Sequence, residues 1–155
     1  MQEISFYRLK AEDVDLMELI ASWYKNEWKI EIEKSINNLS NFPKFGIPFQ
    51  IVLKLDDVPI ATGGLYVHVG LLDREPRFKV YTPWLALIYT LPEYRNNSYG
   101  ALLCDKIQNI SKELGFTELY LYTHTAESLY NRLGWVPFER LIVKEKNIVV
   151  MKKVL

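Results

Sequence analysis

The segment from Trp84 to Leu103, WLALIYTLPEYRNNSYGALL, constrains the fold more than any other stretch. Its apolar run, Trp84 to Tyr89, is long enough for a buried strand and too short for a typical helix. Pro92 has no N–H to give a ladder and ends the pairing. The polar residues Arg95-Asn96-Asn97-Ser98 then lead to Gly100, and from Ala101 onward the pattern is helical. Leu103, Ile107, Ile110 and Leu114 fall on one apolar stripe. The spacing predicts strand, tight polar loop and helix in succession. Such a loop aims backbone N–H groups outward at a helix N-terminus, where the macrodipole favours negative charge. That is an anion site suited to a phosphate or pyrophosphate.

The chain as a whole reads as one domain, 155 residues long, with 49% apolar and 25% charged residues. That profile is globular rather than disordered. Lys+Arg and Asp+Glu balance at 19 each, so no global field draws in nucleic acid or anionic lipid. A single cysteine, Cys104, cannot form an internal disulfide and fits a reducing compartment. No apolar run approaches a membrane span, and MQEISFYRLK lacks the layout of a signal peptide. The expectation is a cytoplasmic protein, monomer or homodimer, with neither a nucleic-acid nor a membrane partner. Aromatic residues reach 14%, as in cores and also in aromatic-lined clefts.

In chain order, Ile4, Phe6 and Leu9 mark a first strand. Asp13 stands as N-cap for a helix carrying Leu16, Ile20 and Trp23. A second helix runs through Ile32, Ile36 and Leu39 and is broken by Pro43, Gly46 and Pro48. Two strands, Phe49 to Leu55 and Val58 to Gly70, flank a hairpin turn at Asp56-Asp57. Gly63-Gly64 inside the second predicts a bulge or the close approach of another backbone. Asp73 to Thr82 is expected to be loop. Glu118 to Thr123 alternates as a strand, and a short helix from Ala126 to Leu133 closes at Gly134. A terminal hairpin turns about Glu145-Lys146-Asn147. The order β-α-α-β-β-β-α-β-α-β-β implies an α+β domain: one mixed, mostly antiparallel sheet with helices on both faces.

Two motifs carry a resemblance to the GNAT acetyltransferase superfamily. Arg95-Asn96-Asn97-Ser98-Tyr99-Gly100 resembles that family's acyl-CoA-binding pattern, Gln/Arg-x-x-Gly-x-Gly/Ala, matching at Arg95 and Gly100. It departs at Ser98, where glycine is usual. Serine adopts positive φ at a cost, whereas Asn96 and Asn97 tolerate it better. Further on, the family shows Asn-x-x-Ala-x-x-Leu-Tyr-x-x-x-Gly-Phe. Residues Thr123 to Trp135 match it at Ala126, Leu129, Tyr130 and Gly134, with Thr123 in place of asparagine and Trp135 in place of phenylalanine. The resemblance extends over nearly the whole chain and implies a single acyl-CoA N-acyltransferase-like domain over residues 1–155.

What the resemblance implies is acetyl transfer from acetyl-CoA, as co-substrate, to a primary amine of a small molecule or peptide, in a ternary complex and with no metal. Arg95, a surface charge on the bland reading, would hold the pyrophosphate with the N–H groups of Asn96, Asn97, Ser98, Tyr99, Gly100 and Ala101. The backbone of Leu87, Ile88 and Tyr89 would bind the pantetheine amides and polarise the thioester carbonyl, while their side chains pack in the core. Thr123 and Ala126 fall at further cofactor positions. Tyr130 matches the tyrosine that protonates the departing thiolate, and its bland reading is an aromatic anchor for a short helix.

The resemblance also implies that Trp23, Glu27 and Trp28, read as lying between the first two helices, and Asp73, with the loop up to Trp84, border the acceptor cleft. Aromatics and carboxylates together suit a cationic amine, although Trp23 also continues a core stripe. Glu27, His68, Asp73 and His124 remain open as general base, each with an ordinary polar role as its alternative. Cys104 reads as a small buried hydrophobe rather than an acyl carrier. The rival function is a non-catalytic acyl-CoA-binding or sensing module on the same fold, and Ser98 and Thr123 are its support.

Overall fold

Apolar alternation and helical periodicity become twelve elements in the computed structural model, which describes residues 2–155. They are β1 (Ile4–Arg8), α1 (Val14–Trp28), α2 (Ile32–Ser40), β2 (Phe49–Leu55), β3 (Val58–Tyr66), α3 (Leu71–Arg74), β4 (Trp84–Thr90), α4 (Tyr99–Glu113), β5 (Glu118–Thr123), α5 (Glu127–Arg132), β6 (Val136–Val143) and β7 (Lys146–Val154). The seven strands run in the order β1-β2-β3-β4-β5-β7-β6. β1 pairs antiparallel with β2, as β7 does with both β5 and β6, while β4 and β5 run parallel at Trp84↔Tyr120. The α+β class matches the sequence reading, and the element order does so apart from the short α3 between β3 and β4.

Five local expectations need correction. Asp13 occupies the N-cap of α1, but its carboxylate makes no cap hydrogen bond. It accepts instead from the Lys10 amide at 2.8 Å and the Tyr7 hydroxyl at 2.6 Å. The segment expected as loop contains a 3₁₀ turn at Pro76–Val80, after the short α3. Pro76 presets φ there, and the apolar Leu71, Leu72 and Phe78 are all buried. The last hairpin turns at Lys144 and Glu145, both with positive φ, because a two-residue turn matches the strand twist better than a three-residue one. The buried face of α4 is Leu103, Cys104, Ile107 and Ser111, while Leu114 lies beyond the helix and is exposed. At Gly63 the close neighbour is a side chain rather than a backbone: an added Cβ would collide with Ile88 Cδ1.

The chain divides into two compact units. The first comprises residues up to Gly64 together with Leu87–Ile107. Its core gathers Leu9, Met17, Ile20, Trp23, Tyr24, Leu39, Val52 and Tyr89. Burying such a large apolar side chain contributes about 1.5–3 kcal/mol, so this cluster anchors α1 firmly. The hairpin β2–β3 turns through Asp56 and Asp57, both left-handed, as the Asp-Asp pair implies.

The second unit comprises Leu65–Ala86 and Gln108–Leu155. Its interior is aromatic. The Tyr81 ring lies 5.0 Å from Tyr120 and 5.2 Å from Phe138, and Trp84 lies 5.8 Å from Tyr120. Trp84 is fully buried and its indole N–H donates to Tyr81 O at 2.8 Å, which satisfies its one polar atom. Gly134 has a φ of 92°, the left-handed close expected after α5.

Candidate active site

Within the first unit, β4 contains a residue that no strand propensity explains: Leu87 has a φ of 59°. A left-handed L-residue without glycine's freedom costs about 1–2 kcal/mol, so surrounding structure must hold it there. The holder is a buried hydrogen-bond chain. The Tyr24 hydroxyl, from α1, donates to Leu87 O at 2.7 Å. The Gln50 side-chain amide donates to the Tyr24 oxygen and to Thr62 Oγ1, both at 2.8 Å. Thr62 in turn donates to Ile51 O at 2.9 Å. Gln50 and Thr62 are fully buried and Tyr24 nearly so. Burial raises the Tyr24 pKa well above the ordinary tyrosine value, with the bonds from Gln50 and Thr62 opposing the shift in part. Its hydroxyl therefore remains a proton donor throughout the physiological range.

Every link in that chain has a direction, and both ends fall on backbone carbonyls. Such a network is rigid because each member leaves its neighbour unsatisfied if it moves. The left-handed residue breaks the regular alternation of β4 at Leu87, next to Ile88 and Tyr89, the three residues expected to act through their backbone. Of their side chains, Tyr89 is buried, and Leu87 packs half-buried against the α1 core.

The loop after β4 takes the geometry an anion site needs. A 3₁₀ turn at Pro92–Tyr94 leads to Asn96 and Ser98, both at a φ of 65°. Ser98 thus adopts the left-handed conformation for which the family pattern uses glycine, whereas Asn97 does not. Left-handed residues spaced this way turn successive N–H groups toward one side. The Asn97 side chain braces the turn, donating to Arg95 O at 3.0 Å and Tyr94 O at 3.3 Å. α4 begins at Tyr99, so Tyr99, Gly100 and Ala101 form its first turn, where helix geometry leaves N–H groups without intrahelical partners. Gly100 has no internal reason to be glycine: its φ is not left-handed, and a Cβ there meets only Thr90 Oγ1 at 3.8 Å.

Trp23, Glu27 and Trp28 are brought together with Tyr89 and Arg95. Trp23 stacks on Tyr89 at 5.4 Å, Trp28 meets the same ring edge-on at 6.1 Å, and Tyr24 lies 5.3 Å from Trp28. Trp23 is buried and Trp28 exposed. The Arg95 Nε donates to Thr90 O at 2.8 Å, while a terminal nitrogen reaches Glu27 at 3.4 Å. Its guanidinium carbon lies 5.4 Å from the Tyr89 ring centre. Burial raises the Tyr89 pKa, Arg95 opposes that, and Glu27 and Glu93 add to it. An exposed ion pair such as Arg95–Glu27 contributes about 0–1 kcal/mol, so this arrangement is readily exchanged.

Four expected residues belong to the second unit. Thr123 Oγ1 accepts from the Ala126 amide at 3.0 Å, so these two residues close the turn before α5 on each other. Tyr130 is 9% exposed, with its ring 6.1 Å from that of Trp135 in an edge-on contact. Trp135, where the family pattern has phenylalanine, carries a buried indole N–H with no partner among the described residues. Asp73 is exposed and paired with His68 at 3.2 Å. Of the other candidate bases, His124 Nδ1 lies 3.1 Å from Asn147 O. Cys104 is buried, and burial pushes its pKa up to about 12, followed by a smaller contribution from Asp105. A neutral buried thiol is a poor nucleophile. A surface groove of about 610 Å³ lined by Tyr7, Glu12, Asp13 and Lys54 includes none of the expected residues.

Sequence reasoning missed Tyr24, Gln50 and Thr62. A signal existed: Gln50 interrupts FQIVLKL and Thr62 interrupts an apolar run at positions where a core residue was due. Nothing in the sequence said that the two polar interruptions meet.

Comparison with known proteins bears on the fold and the family. An acyl-CoA N-acyltransferase from Pseudomonas aeruginosa shares 14% identity at a TM-score of 0.68, with 98% of this chain and 100% of that one covered. An aminoglycoside 6'-N-acetyltransferase complexed with coenzyme A shares 13% identity at 0.75, covering 97% and 96%. The PaiA N-acetyltransferase from Thermoplasma acidophilum, in complex with coenzyme A, shares 19% at 0.68, covering 99% of each. At these identities the likeness shows the fold. No curated protein matches the chain by sequence. The model of the acetyltransferase (GNAT) family, however, matches residues 14–135, which include both motifs, and the chain belongs to that family.

Proposed function

We propose that the chain transfers an acetyl group from acetyl-CoA to a primary amine of a small molecule or peptide, by direct attack while both are bound. The observation that carries this reading is a strand backbone held left-handed at Leu87, followed directly by a left-handed loop that opens a fifteen-residue helix. Family membership supports acyl transfer, and two of the solved relatives by fold contain coenzyme A.

The donor set suits that coenzyme. N–H groups from Asn96 to Ala101, the Ser98 hydroxyl and the Arg95 guanidinium are the chemistry a diphosphate requires. Gly100, with no internal need to lack a Cβ, leaves that space to whatever approaches from outside. The coenzyme supplies an acyl group activated as a thioester: an N–C bond forms, the C–S bond breaks, and the amine's proton ends on sulfur. The backbone around Leu87, Ile88 and Tyr89 orients the acyl carbonyl and stabilises the charge that develops on its oxygen. Of the acceptor candidates, Glu27 and the exposed Trp28 receive the acceptor, while the buried Trp23 backs the Tyr89 ring. Thr123 and Ala126 shape the turn that precedes Tyr130.

Tyr130 is the proposed proton donor to the thiolate. A tyrosine near pKa ~10 gives its proton to a thiolate near ~8.5 slightly uphill, so the environment has to assist. Tyr130→Phe is expected to lower turnover at least about tenfold with little change in acetyl-CoA affinity. Unaltered turnover in steady-state assays removes Tyr130 from the mechanism. For the function as a whole the test is calorimetric titration with acetyl-CoA and then thiol release across an amine panel. A second reading, an acyl-CoA sensor, draws on the Thr123–Ala126 bond, which uses both groups internally. Binding without thiol release from any amine favours the sensor, and absence of binding defeats both.

A further inference from the structure

Arg95 is held by contacts of the kind that recognise an organic cation. A carboxylate from Glu27 lies on one side at 3.4 Å, and the face of Tyr89 on another, with 5.4 Å between the guanidinium carbon and the ring centre. The aromatic wall continues past the guanidinium. Trp28 meets Tyr89 edge-on and keeps 42% of its surface exposed, so the wall reaches solvent. Glu93 adds negative charge that acts on the Tyr89 hydroxyl. With Arg95 in place, the Glu27 carboxylate is paired with one cation. With Arg95 turned to a diphosphate, that carboxylate and the aromatic face are left without a cation.

We propose that the Glu27–Tyr89–Trp28 surface seats a second, non-reacting cation of the acceptor, and that Arg95 fills this seat until the coenzyme diphosphate draws its guanidinium away. The inference rests on the acyl-transfer reading and narrows its substrate. A carboxylate and a π face both favour the charged form of an amine and raise its pKa. An amine that attacks a thioester needs a free lone pair, so the cation seated at Glu27 is not the group acylated. The acceptor therefore carries two amino groups: one stays protonated at Glu27, and the other reacts as the neutral base. Acceptor binding then follows coenzyme binding, because the seat is taken until the diphosphate arrives.

Calorimetry with hexamethylenediamine and hexylamine separates the possibilities. Wild-type protein should bind the diamine only with saturating coenzyme A, and at least about tenfold more tightly than the monoamine, since a charge-assisted contact is at stake. Arg95→Gln should bind the diamine with no coenzyme present, and Glu27→Gln should lose the preference for diamine over monoamine. Both residues are partly exposed, and circular dichroism confirms that each variant is folded. Equal affinity for the two amines, diamine binding by wild-type protein irrespective of coenzyme, or no diamine binding by Arg95→Gln overturns the inference. Failure of wild-type protein to bind coenzyme A defeats the acyl-transfer reading instead, and the Arg95→Gln titration still decides whether the seat exists.

Discussion

Two polar clusters of the first unit share a neighbourhood in sequence and differ in their access to water. Around Leu87, the chain Thr62–Gln50–Tyr24 is buried, directional and satisfied at every link. Around Tyr89, the Arg95–Glu27 contact is longer, exposed and held by groups that water or a ligand can replace. The first cluster fixes the Leu87 backbone. The second, on the proposal above, holds a side chain that leaves when the diphosphate binds. Hydrogen bonds between similar groups thus serve opposite ends, and burial decides which, because an unsatisfied donor costs much in the interior and little in water.

That contrast is open to attack, and the most sensitive probe is water entry into the first unit. Cys104 in α4 has its pKa pushed from 9.0 to about 12, so its thiolate fraction near neutrality falls about a thousandfold, and alkylation should slow by at least that factor relative to unfolded protein. The same shift sets a pH dependence. A folded pKa above the unfolded one leaves the stabilising contribution whole below the unfolded value of 9.0 and removes it as pH climbs through about 12. Denaturant melts at rising pH check the direction, and alkylation of native protein at the unfolded rate breaks the contrast.

Tyr24→Phe comes next. It strands Leu87 O and one Gln50 donor in the interior, so stability should drop by about 2 kcal/mol, roughly thirtyfold in the folding constant, by urea titration. Gly100→Ala sharpens the distinction between inward and outward demands. A first-turn alanine raises stability by about 0.5 kcal/mol, while coenzyme A affinity should weaken about tenfold if the missing Cβ serves an approaching diphosphate. The smallest effect belongs to Glu27→Gln, whose stability should stay within about 0.5 kcal/mol of wild type. A loss as large as that of Tyr24→Phe would show that the exposed cluster is structural after all.

The strand–loop–helix unit was legible because its signals are local: an apolar run, a proline, a polar turn and a helical stripe within twenty residues. The left-handed pair Asp56-Asp57 and the close at Gly134 were legible for the same reason. Asp13 misled because its carboxylate had nearer partners than the helix amides, in Lys10 and Tyr7. The helical turns between Leu71 and Val80 escaped notice because their apolar residues are too few and too interrupted by charge to show a period. Trp23, Glu27 and Trp28 were picked out through the family resemblance, which set them between the first two helices; they lie instead on the last turns of α1, with Trp28 its final residue. The left-handed backbone at Leu87 was not legible, because leucine carries no preference for positive φ and the hydroxyl that holds it lies sixty-three positions away.

That separation ties two events together. Left alone, a leucine in a strand relaxes to extended backbone, so the kink exists only while the first long helix is docked. Fraying of that helix and straightening of the strand are then a single cooperative opening, and amides in both segments should report one opening free energy in deuterium exchange.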